Sequence, residues 1–169
     1  MRHACFALAV LIVVGPISLR GSQHSAGAQP NVLEELLHAE TRWRANKVEV
    51  YEFRFQYACN GLIPPPPPGT AFIVFRIKDG RSAYLRPGAD PVPVPAEWAQ
   101  YSTVEKLFAF IRKAWTSRPI HMDAQYDQAR GYPIRVCVDP SGVSDDEFGF
   151  VISDFSVLSN AGGAPADQP

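Results

Sequence analysis

The chain has 169 residues, with 16 Lys and Arg against 17 Asp and Glu and a formal charge of −1 at pH 7. That balance lacks the dense positive charge that draws a protein to nucleic acid or to an anionic lipid surface, so neither is expected as a partner. With 46% hydrophobic and 20% charged residues the composition is that of a globular chain able to bury one real core.

The chain opens MRHACFALAVLIVVGPI, a basic start followed by an apolar run from Ala4 to about Ile17. A membrane span needs about 20 such residues, so this run is short for one. The small residues Ala26-Gly27-Ala28 supply a cleavage site, which predicts a signal peptide over residues 1–28 and a mature chain beginning at Gln29. The protein is therefore expected to be exported, to the periplasm or beyond, and to meet a membrane only through an uncleaved signal. Cys5 precedes the apolar run and is not placed as a lipoprotein cysteine. Removing residues 1–28 takes away Arg2 and Arg20 and no acid, which moves the formal charge to −3.

From Asn31 the pattern is helical. Asn31 and Glu34 are spaced as in a capping box, and Leu33, Leu36, Leu37 and Trp43 recur at helical spacing. Near Asn46 the period changes to two: Tyr51, Phe53, Phe55, Tyr57 and Cys59 alternate with Glu52, Arg54, Gln56 and Ala58, as in a half-buried strand. Asn60-Gly61 and the run Pro64–Pro68 end it, the prolines forming a stiff spacer of about 15 Å. A strand over 71–78, an Asp79-Gly80 turn and a strand over 81–86 make a hairpin. The proline-rich stretch 87–101 reads as an extended connector.

The second half repeats the order. Ser102 and Glu105 are spaced as a capping box, and Val104, Leu107, Phe108, Ile111 and Trp115 give a helical stripe that stops near Arg118-Pro119. Met122, Ala124 and Tyr126 alternate with His121, Asp123 and Gln125; Gly131-Tyr132-Pro133 turns the chain; Ile134, Val136 and Val138 mark a strand. A last strand over about 148–158 slips its alternation near Asp154, which predicts a bulge. The expected fold is α+β: one domain over 29–159, with about six antiparallel strands and two amphipathic helices on one face. Units 31–86 and 102–159 form a weak tandem α-β-β-β repeat, and 160–169 is a polar tail expected to be disordered.

The strand YEFRFQYAC, the hairpin IVFRIKDGR, the helix TVEKLFAFIRKA and the stretch YDQARGYPIRVCVD…DDEFGFVISDF follow one another in that order. Together they resemble a family of uncharacterised exported bacterial proteins, domain of unknown function 6174, over about residues 32–158. The resemblance implies export and a small α+β domain, and no reaction, ligand or catalytic residue. The family's pattern has two cysteines close together at the end of the first strand; here only Cys59 stands there. The tandem layout is also similar to that of exported inhibitors that press an open sheet against an enzyme, a likeness of fold alone.

Candidate sites are few. Asp139, Asp145, Asp146 and Glu147, with Ser141, lie close enough to suit a hard cation, which wants about 6–8 oxygen ligands. They lack the alternate spacing of a calcium loop, and a solvated acidic turn with a carboxylate on backbone amides is the plainer reading. His121, Asp123 and Asp127 share the polar face of one strand, so a hydrolase or cation-dependent enzyme using the Asp123–Glu147 region is the alternative function. No G-x-S-x-G elbow, phosphate-cradling loop or closely spaced Cys/His set occurs. Cys59 and Cys137 remain after processing and invite a disulfide, although Cys59 falls on an apolar face and Cys137 on a mixed one. Arg76, Lys78, Arg81 and Arg86 crowd the first hairpin, and Trp98, in the connector, is the tryptophan expected to be part-exposed. The reading that follows is a non-catalytic binding module without cofactor, its partner a protein or small ligand outside the cytoplasm.

Overall fold

The computed structural model describes residues 30–58, 71–86, 88–143 and 145–159. The expected signal peptide, Cys59, the proline run 64–68 and the tail 160–169 lie outside the described residues. Helix α1 spans Pro30–Asn46 and helix α2 spans Val104–Thr116. Seven strands follow in chain order: β1 Val50–Ala58, β2 Ile73–Lys78, β3 Arg81–Leu85, β4 Val92–Pro93, β5 His121–Tyr126, β6 Pro133–Asp139 and β7 Phe148–Val157. They form one antiparallel sheet in the order β4-β3-β2-β1-β7-β6-β5.

The sheet thus has seven strands rather than six. The extra one is β4, from the stretch expected to be a connector; it pairs with β3, Ala83 opposite Pro93 and Tyr84 opposite Val92. An edge strand tolerates proline because its outer side needs no amide donor. The tandem repeat is not matched. The second unit has no counterpart to β4 or to the 3₁₀ helix Ala96–Tyr101 among the described residues, and α1 packs on β5, a strand of the other unit.

Neither helix uses its expected cap. Pro30 opens α1, so Asn31 lies within it; proline suits a first helical position because its missing amide hydrogen has no partner there anyway. Thr103, not Ser102, caps α2, its hydroxyl accepting from Lys106 N at 3.3 Å. Ser102 is buried: it donates to the Ala99 carbonyl at 2.9 Å and accepts from Ser82 Oγ at 2.9 Å and Lys106 Nζ at 3.0 Å.

The buried stripe of α1 is Leu36, Ala39, Glu40 and Trp43, whereas Leu33 (38%) and Leu37 (50%) are exposed. This corrects the expected stripe, and the reason lies in α2. The buried Glu40 carboxylate pairs with Arg112 of α2 and with Arg44 one turn on, so a charged residue occupies a core-facing position. One turn further, Glu105 of α2 accepts from Trp43 Nε1 at 2.7 Å and from the Tyr51 hydroxyl of β1 at 3.4 Å. Two carboxylates therefore fasten α1, α2 and β1 to one another.

The core between helices and sheet is aromatic. Phe55 is ringed by Tyr57, Phe75, Tyr101 and Phe150, with centroids 5.0–6.1 Å away. Trp98 is also buried (6%), edge-on to Tyr84 at 5.5 Å, which corrects the expectation of exposure. The 3₁₀ helix carries it back onto β3, a placement that the proline-rich pattern around it conceals.

The β5–β6 loop is held at both ends. Asp127 Oδ1 accepts from Ala129 N and Arg130 N, and Asp127 N donates to the Tyr132 carbonyl at 2.9 Å. Asn46 of α1 reaches the Ala129 carbonyl at 3.3 Å, and Tyr132 stacks on Phe155 at 4.0 Å. Gly131, at φ +87°, presses against the α1 backbone.

Candidate interaction face

All helical elements lie on one side of the sheet: α1 on β5, α2 on β6, and the 3₁₀ helix through Trp98 on Tyr84 and Tyr101 on Phe55. The alternate residues point the other way, because successive strand side chains face opposite sides. On β1 these are Glu52, Arg54 and Gln56, on β2 Val74, Arg76 and Lys78, and on β7 Val151 and Ser153. No helix among the described residues lies over them.

Arg54 stands at the middle of this open face, between Val74 of β2 and Ser153 of β7. Its guanidinium lies 3.9 Å over the Phe72 ring, and its Nη2 is 3.0 Å from Asp154 Oδ2. Asp154 is available because of the bulge: β7 slips against β1 between Glu52 and Arg54, and Asp154 adopts φ 50°. The Arg54 Nε hydrogen is buried and has no partner among the described residues. Half-buried Val74 stands opposite the arginine, with Leu85 beyond it on β3 and Val151 opposite Gln56 on the same face. A stacked guanidinium amid aliphatic side chains is held in place and presents a planar donor edge, the chemistry that recognises a carboxylate or an aromatic ring.

Beside it Arg76 pairs with Glu52 across the strands. Lys78 and Arg81 flank the turn, where Asp79 and Gly80 adopt φ 51° and 73°, the positive values a type I′ turn requires. Arg76, Lys78, Arg81 and Ser82 border a shallow hollow of about 550 Å³. Arg86 is exposed past the end of β3. Of the residues expected to form an interaction surface, the structure brings Arg76, Lys78 and Arg81 together and withdraws Trp98 into the core.

The groups considered for catalysis do not converge. His121 and Asp123 are exposed on β5, where Asp123 accepts from Gln125 Nε2 at 3.4 Å, while Asp127 is spent on its own loop. In the acidic stretch Asp139 and one oxygen of Asp146 are spent on the loop itself, while Asp146 Oδ1 is buried without a partner among the described residues. Asp139 Oδ1 accepts from Ser141 N at 3.1 Å and Gly142 N at 2.6 Å, and Ser141 Oγ bonds Asp146. Asp145, at φ 76°, and Glu147 carry the chain into β7. Among the described residues no group of three or more His, Cys, Asp and Glu is placed to hold a metal ion. His38, exposed on α1, lies 3.9 Å from Glu34. Cys137 is disulfide-bonded, with its partner outside the described residues. No helix among the described residues is long and apolar enough to cross a membrane.

Sequence reasoning missed Arg54, Phe72 and Asp154 as a unit. The alternation of β1 placed Arg54 on the polar face, but its neighbours come from β2 and β7, and only the register joins them. No curated protein and no solved structure matches the chain. A family model does match, over residues 35–157, most of the described chain, and the protein belongs to that family, the family of unknown function DUF6174.

Proposed function

We propose that the protein is an exported, non-catalytic module that binds an acidic surface of another protein through the open face of its sheet. The observation that carries this is Arg54. It is stacked on Phe72 and held by Asp154, opposite Val74 of β2, and the cations Arg76, Lys78 and Arg81 follow along the same face of the hairpin. Arginine and aromatic residues within a desolvating rim are what interface energetics favour. The alternative, a hydrolase using the Asp123–Glu147 region, draws no support from His121, Asp123 and Asp127, which sit apart and face solvent or their own loops. To test the binding reading, the mature domain is immobilised and exposed to envelope extract beside an Arg54→Glu variant. The unchanged domain is expected to retain a protein that the variant loses. Retention of the same proteins by both, or of none, would sink it.

Export belongs to the same reading. A structural disulfide persists in oxidising compartments, so the bond at Cys137 supports it. We assign Cys59 as its partner. Ala58 of β1 and Cys137 of β6 both lie opposite Gly149 of β7, one on each side. Digestion of the non-reduced protein is expected to yield one peptide pair linked through Cys59 and Cys137. A free thiol at Cys59 would refute the assignment.

A further inference from the structure

The two edges of the sheet are unlike. At one end β4 is two residues long, and Pro91, Pro93 and Pro95 remove amide donors along it, so that edge is a poor template for a further strand. At the other end β5 runs six residues without a proline, and no strand pairs with its outer side among the described residues. Long unprotected edges invite another chain, and proteins ordinarily guard them.

A groove of about 600 Å³ runs beside this unguarded edge. One wall is the flank of α1, with Glu34, Glu35, His38 and Arg42; the other is the helix-facing side of β5, with Ala124 and Tyr126. Tyr126 is nine-tenths buried, and its hydroxyl has no hydrogen-bond partner among the described residues. On the opposite side of the same edge stands exposed Asp123.

We propose that β5 accepts an extended, basic peptide segment of another protein as an eighth strand. Main-chain hydrogen bonds to the β5 edge would supply affinity, as in other cases of strand addition. Alternate side chains of an added strand point to opposite sides, so one set enters the groove toward Glu34 and Glu35 and the other passes Asp123. The set in the groove meets the two carboxylates, with Arg42 the single full cation lining it, while on the other side Asp123 stands near exposed Arg135 of β6. That charge balance selects lysine or arginine in the incoming segment. It also disfavours a second copy of this chain, because two β5 edges side by side would bring the Glu34–Glu35 pairs together. The proposal stands on the edge and its groove and is independent of the open-face reading.

The probe is a synthetic peptide of alternating threonine and lysine, long enough to pair with the whole of β5, titrated into the mature domain and followed by amide NMR. Saturable binding is expected, with shifts and slowed exchange at residues 121–126. Joint Glu34→Lys and Glu35→Lys, both on an exposed flank, should weaken it by about tenfold or more, and N-methylation of alternate peptide nitrogens should abolish it. The proposal is overturned if the lysine peptide does not bind, if its N-methylated form binds as well, or if a threonine–glutamate peptide binds equally. Shifts confined to the open face would also overturn it while leaving the Arg54 reading intact. Concentration-dependent self-association that slows exchange at β5 would replace the peptide with a second copy.

Discussion

Gly131→Ala is expected to destabilise the protein by about 3 kcal/mol, several times the effect of the same change at Gly80. A Cβ at Gly131 would stand 2.2 Å from the Ala39 carbonyl oxygen, 2.9 Å from Arg42 Cβ and 3.0 Å from Trp43 N, all on α1. The first and last of these are helix backbone atoms, which cannot rotate aside as a side chain would. Relief requires the β5–β6 loop to lift from the helix. That would loosen the Asn46–Ala129 hydrogen bond and the Tyr132–Phe155 stack. Positive φ adds a second cost, since φ +87° is strained for any residue with a Cβ. Gly80 separates the two effects: it has φ +73° but nothing within 4 Å of the added atom, so Gly80→Ala should cost about 1 kcal/mol from backbone strain alone. Urea unfolding of both variants measures the difference. Equal midpoints would mean that the loop is not seated against α1.

The second large effect is alkaline unfolding. Burial holds the hydroxyls of Tyr51, Tyr57, Tyr101, Tyr126 and Tyr132 in their neutral form and raises their pKa values above the ordinary value for tyrosine. At Tyr51 the neighbouring Glu105 carboxylate pushes the same way, while the Val104 amide opposes; at Tyr126 the push comes from Glu35 and Glu40. The unfolded chain ionises its tyrosines near pH 10, and the native state does so later. Stability from these groups is therefore complete below about pH 10 and falls as pH rises beyond it, because the unfolded state gives up protons first. Each deeply buried tyrosine contributes a slope that climbs to about 1.4 kcal/mol per pH unit, so Tyr51 and Tyr126 alone remove about 2 kcal/mol between about pH 10 and pH 11. Tyrosinate absorbance and circular dichroism, followed together against pH, should change in one cooperative step above pH 10. Smooth ionisation with the dichroism unchanged would show that these hydroxyls reach solvent in the native state.

Much of the fold was legible because strands carry their burial in period two. The alternation through Tyr51, Phe53 and Phe55 and through Met122, Ala124 and Tyr126 matches the inward faces of β1 and β5, and the slip at Asp154 is the β7 bulge. The failures share a cause: the deciding partner was distant in sequence. Glu40 is core-facing only because Arg112 comes to it from α2, which turned the α1 stripe away from Leu33 and Leu37. Trp98 is buried because the 3₁₀ helix lays it on Tyr84, and no local pattern among prolines announces that. The open face of the sheet was half visible. The cations of the hairpin could be read directly, whereas the Arg54–Phe72–Asp154 arrangement depends on the register of three strands.

The strand order also bears on how the molecule is made. The pairing of β1 with β7, the first described strand with the last, joins a four-stranded meander, β1 to β4, to a three-stranded one, β5 to β7. Until residues 148–157 have left the ribosome, β1 has one neighbour rather than two, and aromatic residues such as Phe55 lack Phe150 on that side. Pairing across so long a stretch of chain is also intrinsically slow. The core therefore cannot close until β7 has been made, and every earlier stage of synthesis leaves the aromatic face of β1 half covered.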